Sequence, residues 1–169
     1  MGTARASEQK DAGLQVGQTA PDFTLSDQVG TSHRLAAYRG RWVLVYFYPK
    51  DDTPGCTKEA CGIRDRFAEF QKIQAVVLGI SADSVESHKK FADKFQLPFP
   101  LLADTQKQVV QAYGVWGQKS FMGKTYLGIS RSSFLIDPKG TVAKIYPKVK
   151  PEQHTEDILR DLAQFRERK

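Results

Sequence analysis

The sequence predicts an α/β protein with a central sheet between helices, and three observations carry that expectation. Two apolar runs, Trp42–Tyr48 and Ala75–Ile80, are continuous rather than alternating, as in strands buried on both faces. The first is followed by a segment whose apolar residues recur three and four positions apart, the period of an amphipathic helix, and the second by the spacing of a helix capping box. Turn chemistry then separates two further apolar stretches at Asp137-Pro-Lys-Gly140, with Pro and Gly where a tight turn wants them.

The elements follow in order. Residues 1–13 are small and polar without periodicity and read as a mobile tail, leaving 14–169 as a single domain. Asp22–Leu25 and His33–Leu35 flank Ser26–Gly30, which reads as a short hairpin. The strand Trp42–Tyr48 runs into a turn, Pro49–Cys56, that feeds a helix with Ala60, Ile63, Phe67 and Phe70 on its inner face. After the strand Ala75–Ile80, Asp83 and Glu86 have the spacing of a capping box for a helix ending near Phe95. Leu101-Leu102 reads as a short strand and Thr105–Tyr113 as a short helix. Ser132–Ile136 and Thr141–Tyr146 form the second hairpin. Pro151 opens a last helix with Ile158, Leu159, Leu162 and Phe165 inward. Strand–helix–strand, then a hairpin and a closing helix, is the thioredoxin-like arrangement, here with an N-terminal hairpin extension and a mixed sheet flanked by helices.

Composition narrows the function classes. The longest apolar run is seven residues, where a membrane span needs about twenty, so no transmembrane segment is expected. Net charge is +6, but no block of five cations occurs, and nucleic-acid binding is not expected. Two cysteines, Cys56 and Cys61, make no secreted disulfide scaffold and match neither CxxC nor a pair of zinc half-sites. No apolar signal core stands near the start, so the chain reads as cytoplasmic; a targeting segment removed upstream leaves no trace. His33, His88 and His154 fall on three separate elements and read as surface histidines, not a metal site. Gly123-Lys124-Thr125 lacks the upstream glycine of a P-loop, since position 118 is Gln. Trp116 and Phe121, in the same segment, read as packing residues.

The chemistry concentrates in Pro49-x-x-x-Thr53-x-x-Cys56. Thr53 suits an N-cap and Pro54 the first helical position, which places Cys56 in the first turn. There the sulfur meets unpaired backbone N–H groups and the positive end of the helix dipole, both of which favour a thiolate. A free cysteine is also commonly a small buried hydrophobe, and the strand–turn–helix context is what favours the reactive reading. Within the same fold, a disulfide oxidoreductase wants CxxC and a copper carrier CxxxC with a distant histidine; the four intervening residues here fit neither.

These residues also carry a resemblance. Pro49, Thr53 and Cys56 match the peroxiredoxin signature PxxxTxxC, and Thr53-Pro-Gly-Cys-Thr-Lys-Glu-Ala-Cys61 resembles the bacterioferritin-comigratory (Q-type, atypical two-cysteine) branch. Ala20-Pro-Asp-Phe23, Tyr46-Phe-Tyr-Pro-Lys50 and Arg131-Ser-Ser-Phe-Leu-Ile-Asp137 resemble it too, so the match spans about residues 14–165. The resemblance implies a peroxidase acting on hydrogen peroxide and organic hydroperoxides, with Cys56 as peroxidatic cysteine and Cys61 resolving it through an intramolecular disulfide. It implies that Thr53 orients the peroxide, Pro49 shields the sulfur and Arg131 lies beside it; the first-turn position of Gly55 and Cys56 offers their N–H groups to polarise the O–O bond. Thioredoxin or a similar dithiol is the implied reductant, the chain the implied monomer. No cofactor or metal is expected.

Overall fold

The computed structural model describes residues 13–167, so the expectation of a mobile tail over 1–13 lies outside the described residues except for Gly13. Five strands form the central sheet: β3 (Val43–Phe47), β4 (Val76–Ser81), β5 (Leu101–Ala103), β8 (Ser132–Ile136) and β9 (Val142–Tyr146). Their order is β5-β4-β3-β8-β9, with β3, β4 and β5 parallel and β8 and β9 antiparallel to their neighbours. The N-terminal hairpin pairs β1 (Thr24–Ser26) with β2 (Ser32–Arg34). At its tip, the Gln28 side chain donates to Phe99 O and accepts from Leu101 N, which ties the hairpin to the edge strand β5.

The continuous apolar runs are explained by packing on both faces. Val43, Val45 and Phe47 point into one cluster, with Val110 and Tyr113 from the segment of α4 (Gln108–Ala112). Leu44, Tyr46 and Tyr48 point into the other, with Cys56, Ala60 and Ile63 of α1 (Pro54–Asp65), Phe70 of α2 (Phe67–Lys72), Phe91 of α3 (Val85–Phe95), and Ile158 and Leu162 of α5 (His154–Glu167). At about 25 cal/mol per Å² of buried apolar area, large residues such as Tyr46, Phe47 and Phe70 each add a few kcal/mol to this core.

Several elements depart from the sequence expectation. The first long helix breaks at Arg66, so Phe67 and Phe70 belong to a separate short helix. Ser84, not Asp83, caps α3, its hydroxyl accepting from Ser87 N; the Asp83 carboxylate is taken by Asp51 N and the Ser81 hydroxyl. The expected helix over 105–113 is confined to α4. The last helix starts at His154, and residues 151–153 form a turn before it. Residues 116–129 form a hairpin of β6 (Trp116–Phe121) and β7 (Lys124–Ile129), joined through Met122 and Gly123, both at positive φ. That pair of left-handed residues is the backbone of a type I′ turn. Phe121 is 67% exposed on this hairpin, so it is not a packing residue, whereas Trp116 at its base packs on the core. Among the described residues, no helix is long and apolar enough to cross a membrane.

Candidate active site

Strand β3 delivers the chain to the site, and a buried brace fixes the loop that follows. Asp51 accepts from the Tyr48 hydroxyl at 2.6 Å and from the Ser87 hydroxyl at 2.7 Å, and its carboxylate lies 2.7 Å from His88 Nδ1. His88 Nε2 donates to Leu102 O, a carbonyl that can only accept. Asp51, Asp83 and His88 have ligand-type atoms within 4.8 Å of one another, and hydrogen bonds link them to each other and to the Ser81 and Ser87 hydroxyls. The cluster therefore braces the loop against β4, α3 and β5. His88 is wholly buried, which overturns its reading as a surface residue. His33 is largely buried as well, held between Asp27 and the Tyr38 hydroxyl.

The loop ends in the start of α1. Thr53 occupies the N-cap position and its carbonyl accepts from Thr57 N at 2.8 Å, but its hydroxyl makes no capping bond and donates to Lys50 O instead. Pro54 stands at the first helical position, and Gly55 and Cys56 follow as two of the early N–H groups that have no partner within a helix. Cys56 is 1% exposed and packs on the core, while Cys61 is half-buried; both are free thiols. Pro49 is half-buried in the turn after β3.

Across from Cys56, Arg131 stands immediately before β8. Its Nη2 donates to Cys56 Sγ at 3.4 Å and its Nη1 to Glu59 Oε1 at 3.0 Å. Burial opposes the guanidinium's charge, but Cys56 and Glu59 more than offset it and raise its pKa. Thus the expected neighbours Cys56 and Arg131 do meet. A fixed cation and early helix N–H groups around one sulfur favour a thiolate and can hold an oxygen that gains charge.

Two residues behind this pair escaped the sequence reading. Glu59 is completely buried, and burial pushes its carboxyl up to about 7 against the opposing pull of Arg131. His154 lies with Nε2 2.7 Å from Ser133 Oγ and 3.9 Å from Glu59 Oε2. Burial, with a smaller push from Arg131 that Asp157 opposes, lowers the His154 imidazole to about 4. The 3.9 Å approach is therefore not an ion pair, because the imidazole is neutral. His154 is 3% exposed, the third histidine removed from the surface. One signal for Glu59 was available: three residues after Cys56, it shares that helix face.

Cys61 faces away from this cluster. It lines an open groove of about 500 Å³ between α1 and α5, beside Gly62, Arg66, Thr155 and Glu156. Gly62 allows the two helices to approach, since a Cβ there would sit 3.3 Å from Thr155 Oγ1.

Residues 16–145 match the AhpC/TSA family. Peroxiredoxin Bcp of Bacillus subtilis is 44% identical over 155 residues, covering 92% of this chain and 99% of that protein. Peroxiredoxin Bcp of Escherichia coli is 49% identical over 146 residues, covering 86% and 94%. Among solved structures, the bacterioferritin comigratory protein of Xanthomonas campestris superposes with a TM-score of 0.83 at 39% identity, covering 89% of this chain and 99% of that one. With its thioredoxin-like sheet and a cysteine at a helix start facing an arginine, the chain belongs to the AhpC/TSA family, as a thiol peroxidase of the Bcp (peroxiredoxin Q) branch.

Proposed function

We propose that Cys56 reduces hydrogen peroxide and organic hydroperoxides and that Cys61 resolves the product within the same chain. The observation that carries this is the 3.4 Å contact of the Arg131 guanidinium with a sulfur in the first turn of α1. The Cys56 thiolate attacks one peroxide oxygen, the O–O bond breaks, and the sulfur becomes a sulfenic acid. The departing hydroxide or alkoxide takes up a proton and leaves as water or alcohol. Arg131 and the N–H groups of Gly55 and Cys56 hold the peroxide and the charge that grows on the departing oxygen. Thr53 accepts a hydrogen bond from the peroxide through a hydroxyl whose own hydrogen is engaged by Lys50 O, and Pro49 limits access of water.

The Cys61 thiol then attacks the sulfenic sulfur and expels water, giving the Cys56–Cys61 disulfide. A thioredoxin-type dithiol reduces it by exchange and ends as a disulfide itself. The X. campestris relative's described alkyl peroxide reduction supports organic hydroperoxides as substrates. On this reading the catalytic unit is one domain, 14–169, acting as a cytoplasmic monomer with no metal or cofactor. Peroxide consumption with thioredoxin, thioredoxin reductase and NADPH tests it. Turnover is expected in the intact chain and none in Cys56→Ser; retained turnover in that variant would refute it.

A further inference from the structure

One cation serves two acids behind the reacting sulfur. Arg131 gives Nη2 to Cys56 Sγ at 3.4 Å and Nη1 to Glu59 Oε1 at 3.0 Å, and its own side chain is only 18% exposed. The other oxygen of Glu59, Oε2, is buried without any hydrogen-bond partner. The groups facing this carboxyl come from four elements. They are Cys56 on its own helix, Arg131 just before β8, His154 on α5, itself bonded to Ser133 Oγ, and Tyr46 on β3, whose phenol feels the fields of Glu59 and Cys56. His154 is neutral. Tyr46 keeps its proton, since burial pushes its phenol well above the usual range, with Glu59 and Cys56 adding to the shift. Arg131 is thus the single positive charge in this set.

A charge count decides between the protonation states. With both Cys56 and Glu59 ionised, the buried group carries one net negative charge and a bare carboxylate oxygen, and interiors strongly disfavour both. With Glu59 neutral, thiolate and guanidinium balance. The proton then sits on Oε2, 3.9 Å from the neutral imidazole of His154, with no second cation in this set beside it. We infer that Glu59 is a positioning residue that works as a neutral carboxylic acid, accepting from Arg131 through Oε1 while leaving the guanidinium charge undivided for the Cys56 thiolate. Its burial, which pushes the carboxyl up to about 7, supports the same state. A carboxylate in this place would share the cation and disfavour the thiolate; an apolar side chain would leave the guanidinium unheld.

The inference rests on Cys56 as the nucleophile, and its test is separable from that reading. Infrared spectroscopy of the reduced full chain across a pH series reads protonated carboxyl groups directly. Glu59→Gln assigns the band of Glu59. The expected result is a Glu59 acid band at neutral pH that is lost at lower pH in Cys56→Ser, where no second anion competes for Arg131. Thiolate absorbance should persist in Glu59→Gln, whose amide oxygen still accepts from Arg131, and fall in Glu59→Met. The inference is overturned by an absent acid band in the wild type at neutral pH, by equal midpoints in wild type and Cys56→Ser, or by equal thiolate loss in the Gln and Met variants. If neither Glu59 variant folds, the comparison of wild type with Cys56→Ser still decides. Peroxide turnover surviving in Cys56→Ser would instead refute the nucleophile and leave the infrared result standing.

Discussion

Gly55 and Arg131 occupy a space that only a residue without a Cβ leaves open: a Cβ at position 55 would lie 2.8 Å from Arg131 Nη2. The glycine one position before Cys56 therefore sets where the guanidinium rests. In Gly55→Ala, Arg131 must withdraw from Cys56, and peroxide reduction should slow. Stability should hold or rise, because alanine favours a helix over glycine by up to about 1 kcal/mol. Stopped-flow peroxide kinetics beside a denaturant melt check this; a slow enzyme that is also unstable would point to general damage.

Arg131→Met keeps most of the stem and removes the charge. The lost charge-assisted hydrogen bond corresponds to about 1.5–3 kcal/mol, or roughly 10–100-fold in rate if all of it acts on the transition state. The thiolate fraction of Cys56 at neutral pH should fall in parallel. An unchanged thiol titration would show that the guanidinium does not govern the sulfur.

The sequence exposed the sheet and the placement of Cys56 for a physical reason: both are locally encoded. β3 and β4 are buried on both faces and so consist of unbroken apolar residues. The N-terminal position of Cys56 is set by the prolines, threonine and glycine immediately before it. Glu59 was legible only as a neighbour of Cys56 on one helix face, and His154 not at all, because their burial depends on α5 closing over α1, which no local pattern encodes. His88 failed likewise, since its partners Asp51 and Leu102 lie on other elements. The β6–β7 hairpin escaped because its strands are largely exposed, with Met122 85% exposed at the turn, and carry no alternation.

Glu59 and His154 should impose opposite pH dependence on stability. The Glu59 carboxyl is raised in the fold from 4.5 to about 7, so the folded state binds the extra proton and stability falls as pH rises through that window. The His154 imidazole is lowered from 6.5 to about 4, so the unfolded state binds the extra proton and stability rises with pH through its window. Each effect approaches ~3 kcal/mol in full, and they largely cancel between about pH 4.5 and 6.5. Replacing either residue should expose the slope of the other: falling with pH in His154→Asn, rising in Glu59→Gln. Urea melts across that range test the pair, and parallel profiles in the two variants would contradict the assignment.

The two cysteines should fail differently. Cys56→Ser should lose the first turnover, whereas Cys61→Ser should complete it and stop at the sulfenic acid unless an outside thiol intervenes. Single-turnover kinetics with a sulfenic-acid trap separate these outcomes. Equal loss in both variants would refute the division.

Disulfide formation should require α1 to open. Cys56 and Cys61 are separated by five helical residues, a rise of ~7.5 Å, while bridged Cα atoms lie within about 4.4–6.8 Å. Their side chains also diverge: Cys56 packs into the core under Arg131, and Cys61 faces the groove toward α5. The break at Arg66 confines the unwinding to α1, so α2 and the sheet can stay folded. Gly62 makes opening easier, costing the helix roughly 1 kcal/mol relative to alanine. Amide hydrogen exchange should therefore show protection across residues 57–62 in the reduced chain and its loss in the disulfide form. Gly62→Ala adds helix propensity but places a Cβ 3.3 Å from Thr155 Oγ1, so the Thr155 side chain must rotate or shift by a few tenths of an ångström to admit it. With that rotation, the variant should resolve its sulfenic acid more slowly and accumulate more sulfinic acid at high peroxide, because the exposed intermediate persists longer. If the disulfide forms while protection across residues 57–62 is unchanged, opening of α1 is not part of the cycle.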